Sequence, residues 1–213
     1  MKIGILGSGI VGKTLGEGFL KHGYAVMVGS RSPEKLSDWA SQHAGAKTGT
    51  FAETAQYGDL LVLAVQGGVA AEALRMAGGD ALKDKTILDA TNPIDEAPPE
   101  DGVLRFFTGP NESLMEQLQT EFPSSNFVKA FNSVGAVRMI NPQFEDGKPT
   151  MFICGNNPDA KQKAAEILDT FGWEVADMGT AQAARAIEPL CILWCIPGFL
   201  NNQWNHAFKL LLK

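Results

Sequence analysis

The chain is poor in several things that mark large protein classes. Cysteine is scarce, three in 213 residues, and histidine equally so. Three cysteines build no disulfide framework, and Cys191 and Cys195, four apart without a neighbouring histidine, lack zinc-ligand spacing. A reducing, cytoplasmic compartment is the expectation. Positive charge is also short: 18 Lys and Arg stand against 24 Asp and Glu, a net charge of −6 with no basic block. Such a chain matches neither nucleic acid nor an anionic membrane surface, and neither is expected as a partner. Long apolar runs are missing too. The stretch 187–200 carries Glu188, Pro189 and Pro197, too short and too broken for a bilayer span. The opening MKIGILGSGIVG is split by glycines and shows no small-residue cleavage pattern, unlike a signal peptide. With 45% apolar and 20% charged residues, disorder is excluded as well.

What the sequence does have is alternation. Strands are expected at Lys2–Leu6, Ala25–Gly29, Asp59–Val65, Thr86–Ala90, Phe127–Asn132, Thr150–Cys154 and Glu174–Asp177. Several of them are continuously apolar, as strands buried on both faces are. Between them lie helical patterns at Val11–His22, Pro33–His43, Val69–Met76, Glu112–Glu121, Pro158–Phe171 and Ala181–Leu193. Ser32-Pro33 and Asn157-Pro158 read as a cap followed by proline in the first turn. This order predicts a doubly wound, mostly parallel α/β sheet of Rossmann type. Residues 1–180 are expected to form the nucleotide-binding domain with additional strands, and residues 181–213 a short helical C-terminal cap.

The segment Gly7-Ser8-Gly9-Ile10-Val11-Gly12 is a GxGxxG motif that follows a strand at once and opens a helix, the context a dinucleotide fingerprint requires. Gly7 makes the tight turn, Gly9 admits a pyrophosphate to the backbone, and Gly12 lets helix and strand pack closely. The helix start offers unpaired N–H groups to the phosphates. Where an NAD site carries a carboxylate at the tip of the second strand, this chain has Ser30, Arg31, Ser32 and, a helical turn on, Lys35. Those groups suit a 2′-phosphate, so NADP(H) is the expected nucleotide.

Further strand ends should complete the cleft: Ala64-Val65-Gln66, then Asn92, then Asn132-Ser133-Val134. The asparagines and Ser133 either bind the carboxamide or a second substrate, or simply cap turns. Lys129 and Asp89 read as a buried ion pair rather than acid catalysts. The proton donor that an alcohol dehydrogenase needs is not visible in the cleft. Hydride transfer between two planar rings needs mainly alignment.

With these motifs, and with VGSRSPEK, LDATNP, KAFNSVGA, MFICGNNPDAKQKAAEILDTFGWEVADMG and AARAIEPL, the chain resembles the NADP oxidoreductase, coenzyme F420-dependent family. A related domain occurs in transmembrane metalloreductases. The resemblance implies pyrophosphate at Gly7 to Gly12, 2′-phosphate at Ser30, Arg31 and Lys35, and nicotinamide between Ala64–Gln66 and Ala130–Gly135. It implies a deazaflavin, coenzyme F420, bound over the nicotinamide under the C-terminal helices. At two places the chain departs from the deazaflavin-using members. Gln66-Gly67-Gly68 replaces a proline and a bulky residue, and the loop after the sixth strand lacks a histidine. Both lie on the acceptor side, leaving FAD or FMN open as acceptor beside F420. Reduction of a small imine or acid, and a non-catalytic NADP(H) sensor, are the alternatives. The aromatic and leucine-rich tail, with Trp194, Phe199, Trp204, Phe208, Leu211 and Leu212, leads us to expect a homodimer.

Overall fold

The run Leu60-Leu61-Val62-Leu63 explains in miniature how the chain folds. All four residues are buried, but alternate side chains enter different cores. Leu60 and Val62 join Ile3, Ile5, Phe19 and Val28, whereas Leu61 and Leu63 join Leu6, Leu74, Ile87 and Phe127. A strand with two apolar faces needs helices on both. In the computed structural model, which describes residues 1–212, that is the arrangement found.

In chain order the elements are β1 (Lys2–Leu6), α1 (Ile10–Lys21), β2 (Ala25–Gly29), a 3-10 turn and α2 (Ser37–Gln42), then β3 (Lys47–Gly49) and α3 (Phe51–Tyr57). There follow β4 (Leu60–Leu63), α4 (Ala70–Ala77), α5 (Gly79–Leu82), β5 (Thr86–Asp89), α6 (Leu114–Glu121) and β6 (Asn126–Lys129). The chain ends with β7 (Thr150–Ile153), α7 (Pro158–Thr170), β8 (Glu174–Asp177), α8 (Ala184–Ile187) and α9 (Leu190–Asn201). Six strands form one sheet in the order β3-β2-β1-β4-β5-β6, and every pairing in it is parallel. The order reverses between β1 and β4, so a crevice opens beyond their carboxyl ends. The doubly wound Rossmann-type sheet expected from the sequence is present.

The remaining two expected strands do not extend that sheet. β7 and β8 pair in parallel as a separate ribbon, joined to β6 through an antiparallel bridge between Lys129 and Cys154. Apolar pattern reports burial, not which sheet a strand enters. Three elements lay outside the expectation, among them the single turn α5. β3 is three residues long, too short for a pattern. α3 is announced by Thr50, whose hydroxyl accepts from the Glu53 N–H while the Glu53 carboxylate accepts from the Thr50 N–H, a capping box.

The C-terminal segment is helical to Asn201, which is longer than expected, and then turns back in an extended tail. Asn202 makes the turn with φ of 53°. Trp194 and His206 stack and exchange bonds with each other's backbone carbonyls, while the Thr150 N–H donates to the Phe208 carbonyl. The helical run Ala181–Asn201 has the length and apolarity of a membrane span. Here it is broken between α8 and α9, and its Glu188 is buried against the sheet domain.

Candidate functional site

The tight turn after β1 sets the site. Gly7 has φ of +136°, and a Cβ on it would lie 2.1 Å from the Ala64 carbonyl oxygen, so only glycine fits. Gly12 is equally constrained, against Gly7 itself. Gly9 differs: nothing lies within 4 Å of where its Cβ would be. It is the N-cap of α1 and makes no side-chain cap bond, so the first N–H groups of that helix face open space. A helix start with bare backbone donors is an anion site by construction.

A cavity of about 620 Å³ lies at this turn. Of the sequence-expected residues, Gly7, Ser8, Gly9, Ile10, Val11, Ser30, Arg31, Ser32, Lys35, Ala64, Val65 and Gln66 all line it. Gly12 stands behind the wall. Ser30 directly follows β2. Its hydroxyl oxygen accepts from the Ser32 N–H at 3.1 Å and from the Ser8 hydroxyl at 3.3 Å, which ties the two phosphate-facing loops together. Ser32 occupies an N-cap position without making a cap bond, so its hydroxyl is free for a ligand. Neither Arg31 nor Lys35 enters an ion pair among the described residues. Positive charge, hydroxyls and bare N–H groups thus meet in one cavity, the donor set that a phosphorylated dinucleotide fits.

Sequence reasoning missed the opposite wall. Phe51, Val69, Glu72, Ala73 and Met76 line the same cavity. Val69 and Met76 are exposed although apolar, a surface suited to a flat base. The capping box of α3 and the apolar face of α4 were the available signals.

A second cavity, of about 360 Å³, adjoins the first and shares Val65, Gln66, Val69 and Ala90 with it. Thr91, Asn92, Ile94, Asp95 and Glu96 complete it together with Gly67 and Gly68. Gly67 packs so closely that a Cβ would meet the Asn92 carbonyl oxygen at 2.0 Å.

The end of β6 does not join these walls, contrary to the expectation of three converging strand ends. Asn132, Ser133 and Val134 are buried and line neither cavity. The C-terminal segment covers them, for the Asn132 amide donates to the Ile187 carbonyl at 3.0 Å. Asn132 and Asn92 are bonded to each other twice. The Asn92 amide donates to the Asn132 carbonyl at 2.8 Å, and the Asn132 amide donates to Asn92 Oδ1 at 3.1 Å. The Asn132 Oδ1 stays buried without a partner. Phe131, buried just before it, has φ of 62°, a strained conformation of the kind that accumulates at functional sites.

Lys129 and Asp89 do form a buried pair, with a third member the sequence did not suggest. Lys129 Nζ lies 2.7 Å from Asp89 Oδ2 and 2.8 Å from Glu188 Oε1, and it donates to the Thr91 carbonyl at 2.8 Å. Burial alone would lower the Lys129 pKa, but the two carboxylates reverse this and hold it above the usual lysine value. Lys129 is fully buried among these three oxygens and lines neither cavity, so it does not face a substrate. Burial likewise pushes the neighbouring Cys154 thiol up to about 12, which leaves it inert.

Residues 2–93 match the family described as NADP oxidoreductase, coenzyme F420-dependent. The chain superposes on the crystal structure of a candidate F420-dependent NADP reductase from Arthrobacter sp. FB24 with a TM-score of 0.93 and 31% identity, covering all of both chains. It is 30% identical to metalloreductase STEAP3 of Rattus norvegicus over 205 residues, 93% of this chain and 39% of that protein. It therefore spans about two fifths of the metalloreductase's length. An F420-dependent NADP reductase of Methanothermobacter thermautotrophicus is 27% identical over 99% of this chain and 94% of its own. The chain belongs to the NADP oxidoreductase, coenzyme F420-dependent family.

Proposed function

We propose that this protein transfers hydride between NADP(H) and a planar acceptor, either the deazaflavin coenzyme F420 or a flavin such as FAD or FMN. The observation that carries the reading is a single cavity lined by both the glycine turn and the Ser30-Arg31-Ser32…Lys35 cluster, with no carboxylate at the tip of β2. The α1 N-terminus and Gly9 would hold the pyrophosphate. Arg31, Lys35, Ser30 and Ser32 would hold the 2′-phosphate. Val69, Ala73 and Met76 give the adenine an apolar wall. The nicotinamide end then falls toward Ala90, Thr91 and Asn92, beside the second cavity, where the acceptor would lie. Gln66 and the Gly67-Gly68 backbone border both spaces.

The bound nucleotide supplies or takes up the hydride. The residues around it supply alignment and a surface shielded from water, which is what transfer between two rings requires. The burial of Lys129 away from both cavities accords with chemistry that needs no proton from the cavity floor. Likeness to the Arthrobacter structure over its full length supports the deazaflavin. Residues 1–180 act in this reading as the nucleotide-binding unit and 181–213 as its cap, in a cytoplasmic homodimer.

The test is the initial rate of NADPH oxidation by the purified protein with F420, FAD and FMN offered in parallel. Rapid oxidation with F420 alone makes this chain a deazaflavin reductase. Oxidation with FAD or FMN makes it a flavin reductase. Tight NADPH binding without turnover by any of the three overturns the proposal in favour of a nucleotide sensor.

A further inference from the structure

The buried triad reaches further than an ion pair needs to. Asp89 Oδ1 accepts from both the N–H and the hydroxyl of Thr91, at 2.9 and 2.6 Å. Lys129 takes the Thr91 carbonyl. Every polar group of Thr91 is thus fixed from beneath, and Thr91 with Asn92 lines the second cavity. Lys129 Nζ also pairs, at 2.8 Å, with Glu188, which comes from the C-terminal segment. Glu188 is itself held firmly, its two oxygens accepting from the Leu114 and Met115 N–H groups at 3.0 Å each. Those are the first donors of α6, so the helix start offsets the second buried carboxylate. One residue earlier, the Ile187 carbonyl takes the Asn132 amide that also holds Asn92. Two adjacent residues of the C-terminal segment therefore grip the ends of β5 and β6 from the side remote from solvent.

We infer that Glu188 is a positioning residue: through Lys129 and Thr91 it sets the backbone against which the nicotinamide end of the nucleotide lies. The C-terminal segment is on this account part of the active site without touching a ligand. The inference rests on the reading of the Thr91–Asn92 end as the nicotinamide end.

Two nucleotides separate positioning from general structure. 2′,5′-ADP carries the adenosine and the 2′-phosphate but no nicotinamide, whereas NADPH carries all three. Binding of each to the full chain is measured by calorimetry for the wild type, Glu188→Gln and Glu188→Asp, with circular dichroism to check folding. In Glu188→Gln, 2′,5′-ADP affinity is expected to hold within about twofold, while NADPH affinity falls about tenfold toward it, as expected when a charged bond beneath the site is lost. Glu188→Asp, which keeps the charge, is expected to lose less. Should Glu188→Gln fail to fold, Glu188→Asp carries the same comparison in the same direction. An unchanged ratio of the two affinities in a folded variant, or an equal loss of both, overturns the inference. A wild type that binds 2′,5′-ADP and NADPH equally well overturns the placement of the nicotinamide itself, and this is read before any variant is made.

Discussion

Gly12 lies so close beneath Gly7 that a Cβ on it would stand 2.1 Å from the Gly7 carbonyl oxygen. Gly9, two residues from Gly7, has nothing within 4 Å and an ordinary φ of −74°. The three glycines of one motif thus answer different demands. Gly7 and Gly12 serve the fold, and Gly9 leaves room for something outside it. Gly9→Ala is expected to keep the melting temperature of the wild type and lower NADPH affinity tenfold or more, about 1.4 kcal/mol for each factor of ten. Gly12→Ala is expected to destabilise the fold by about 1–3 kcal/mol through overpacking. Thermal melts and nucleotide titrations on the two variants check the contrast, and equal effects on both would refute it.

Arg31 is exposed at the cavity and carries no ion pair that its removal would break. Arg31→Ala is expected to leave stability alone and to weaken NADPH by about 1.5–3 kcal/mol, roughly tenfold to a hundredfold. NADH, which lacks the 2′-phosphate, should bind nearly as before. Parallel titrations decide the matter, and an equal loss for both nucleotides would remove Arg31 from the 2′-phosphate.

Much of this was legible in the sequence because its signals are local. KIGIL followed by GSGIVG gives strand, turn and helix start within a few residues, and the Ser30–Lys35 cluster adjoins the strand that places it. The rest was hidden by distance in the chain. Nothing near Glu188 indicates that it reaches Lys129, since that contact exists only after β6, α6 and the C-terminal segment are packed together. The separate β7–β8 ribbon was hidden for a related reason, because a strand's own residues, whether the largely buried TMFI of β7 or the half-charged EVAD of β8, do not say which strand it pairs with. Short β3 offers too few residues for any periodicity, whereas α3 carried its capping box in plain view.

A second tether of the C-terminal segment sits on the surface and is sensitive to pH. Arg185 on α8 forks onto Glu116 of α6, its Nε at 2.9 Å from Oε2 and a terminal nitrogen at 2.8 Å from Oε1. That bond to Arg185 is the main cause holding the Glu116 carboxyl below its ordinary value of 4.5. A carboxylate whose folded pKa is depressed stabilises the fold above its unfolded value, and the contribution disappears as pH falls through the folded one. At neutral pH, Arg185→Gln is expected to lower the melting temperature only slightly, since the pair is partly exposed. The difference between wild type and variant should shrink as pH drops below 4.5. Melting curves from pH 7 to 3 measure it, and a gap that widens in acid would contradict the assignment.

The apolar surface of the C-terminal segment is the basis for expecting two copies. Leu193 and Leu200 are more than half exposed, and Leu211 and Leu212 are 83% exposed, which a solitary surface rarely sustains. Light scattering at micromolar concentration is expected to give twice the chain mass, and Leu193→Glu with Leu200→Glu to shift it toward the monomer. A wild type that scatters as a monomer would end that reading.

The last prediction concerns the sign of the buried charge. Among the described residues, Lys129 is the only cation facing the two carboxylates of Asp89 and Glu188, and all three side chains are cut off from solvent. Lys129→Met leaves two negative groups buried at close quarters, and stripping one partner from such a cluster costs about 3–5 kcal/mol. Replacing all three members removes the charges together, and with them the cost of an uncompensated buried charge. The triple variant Lys129→Met, Asp89→Asn, Glu188→Gln should therefore recover most of the stability that Lys129→Met loses. It should not recover NADPH affinity, because the Thr91 carbonyl has lost the Lys129 ammonium whatever the fold's stability. Denaturant unfolding gives the first quantity and calorimetry the second. If affinity returns together with stability, the triad is a structural device and nothing more; if stability returns alone, its charges are there to place Thr91.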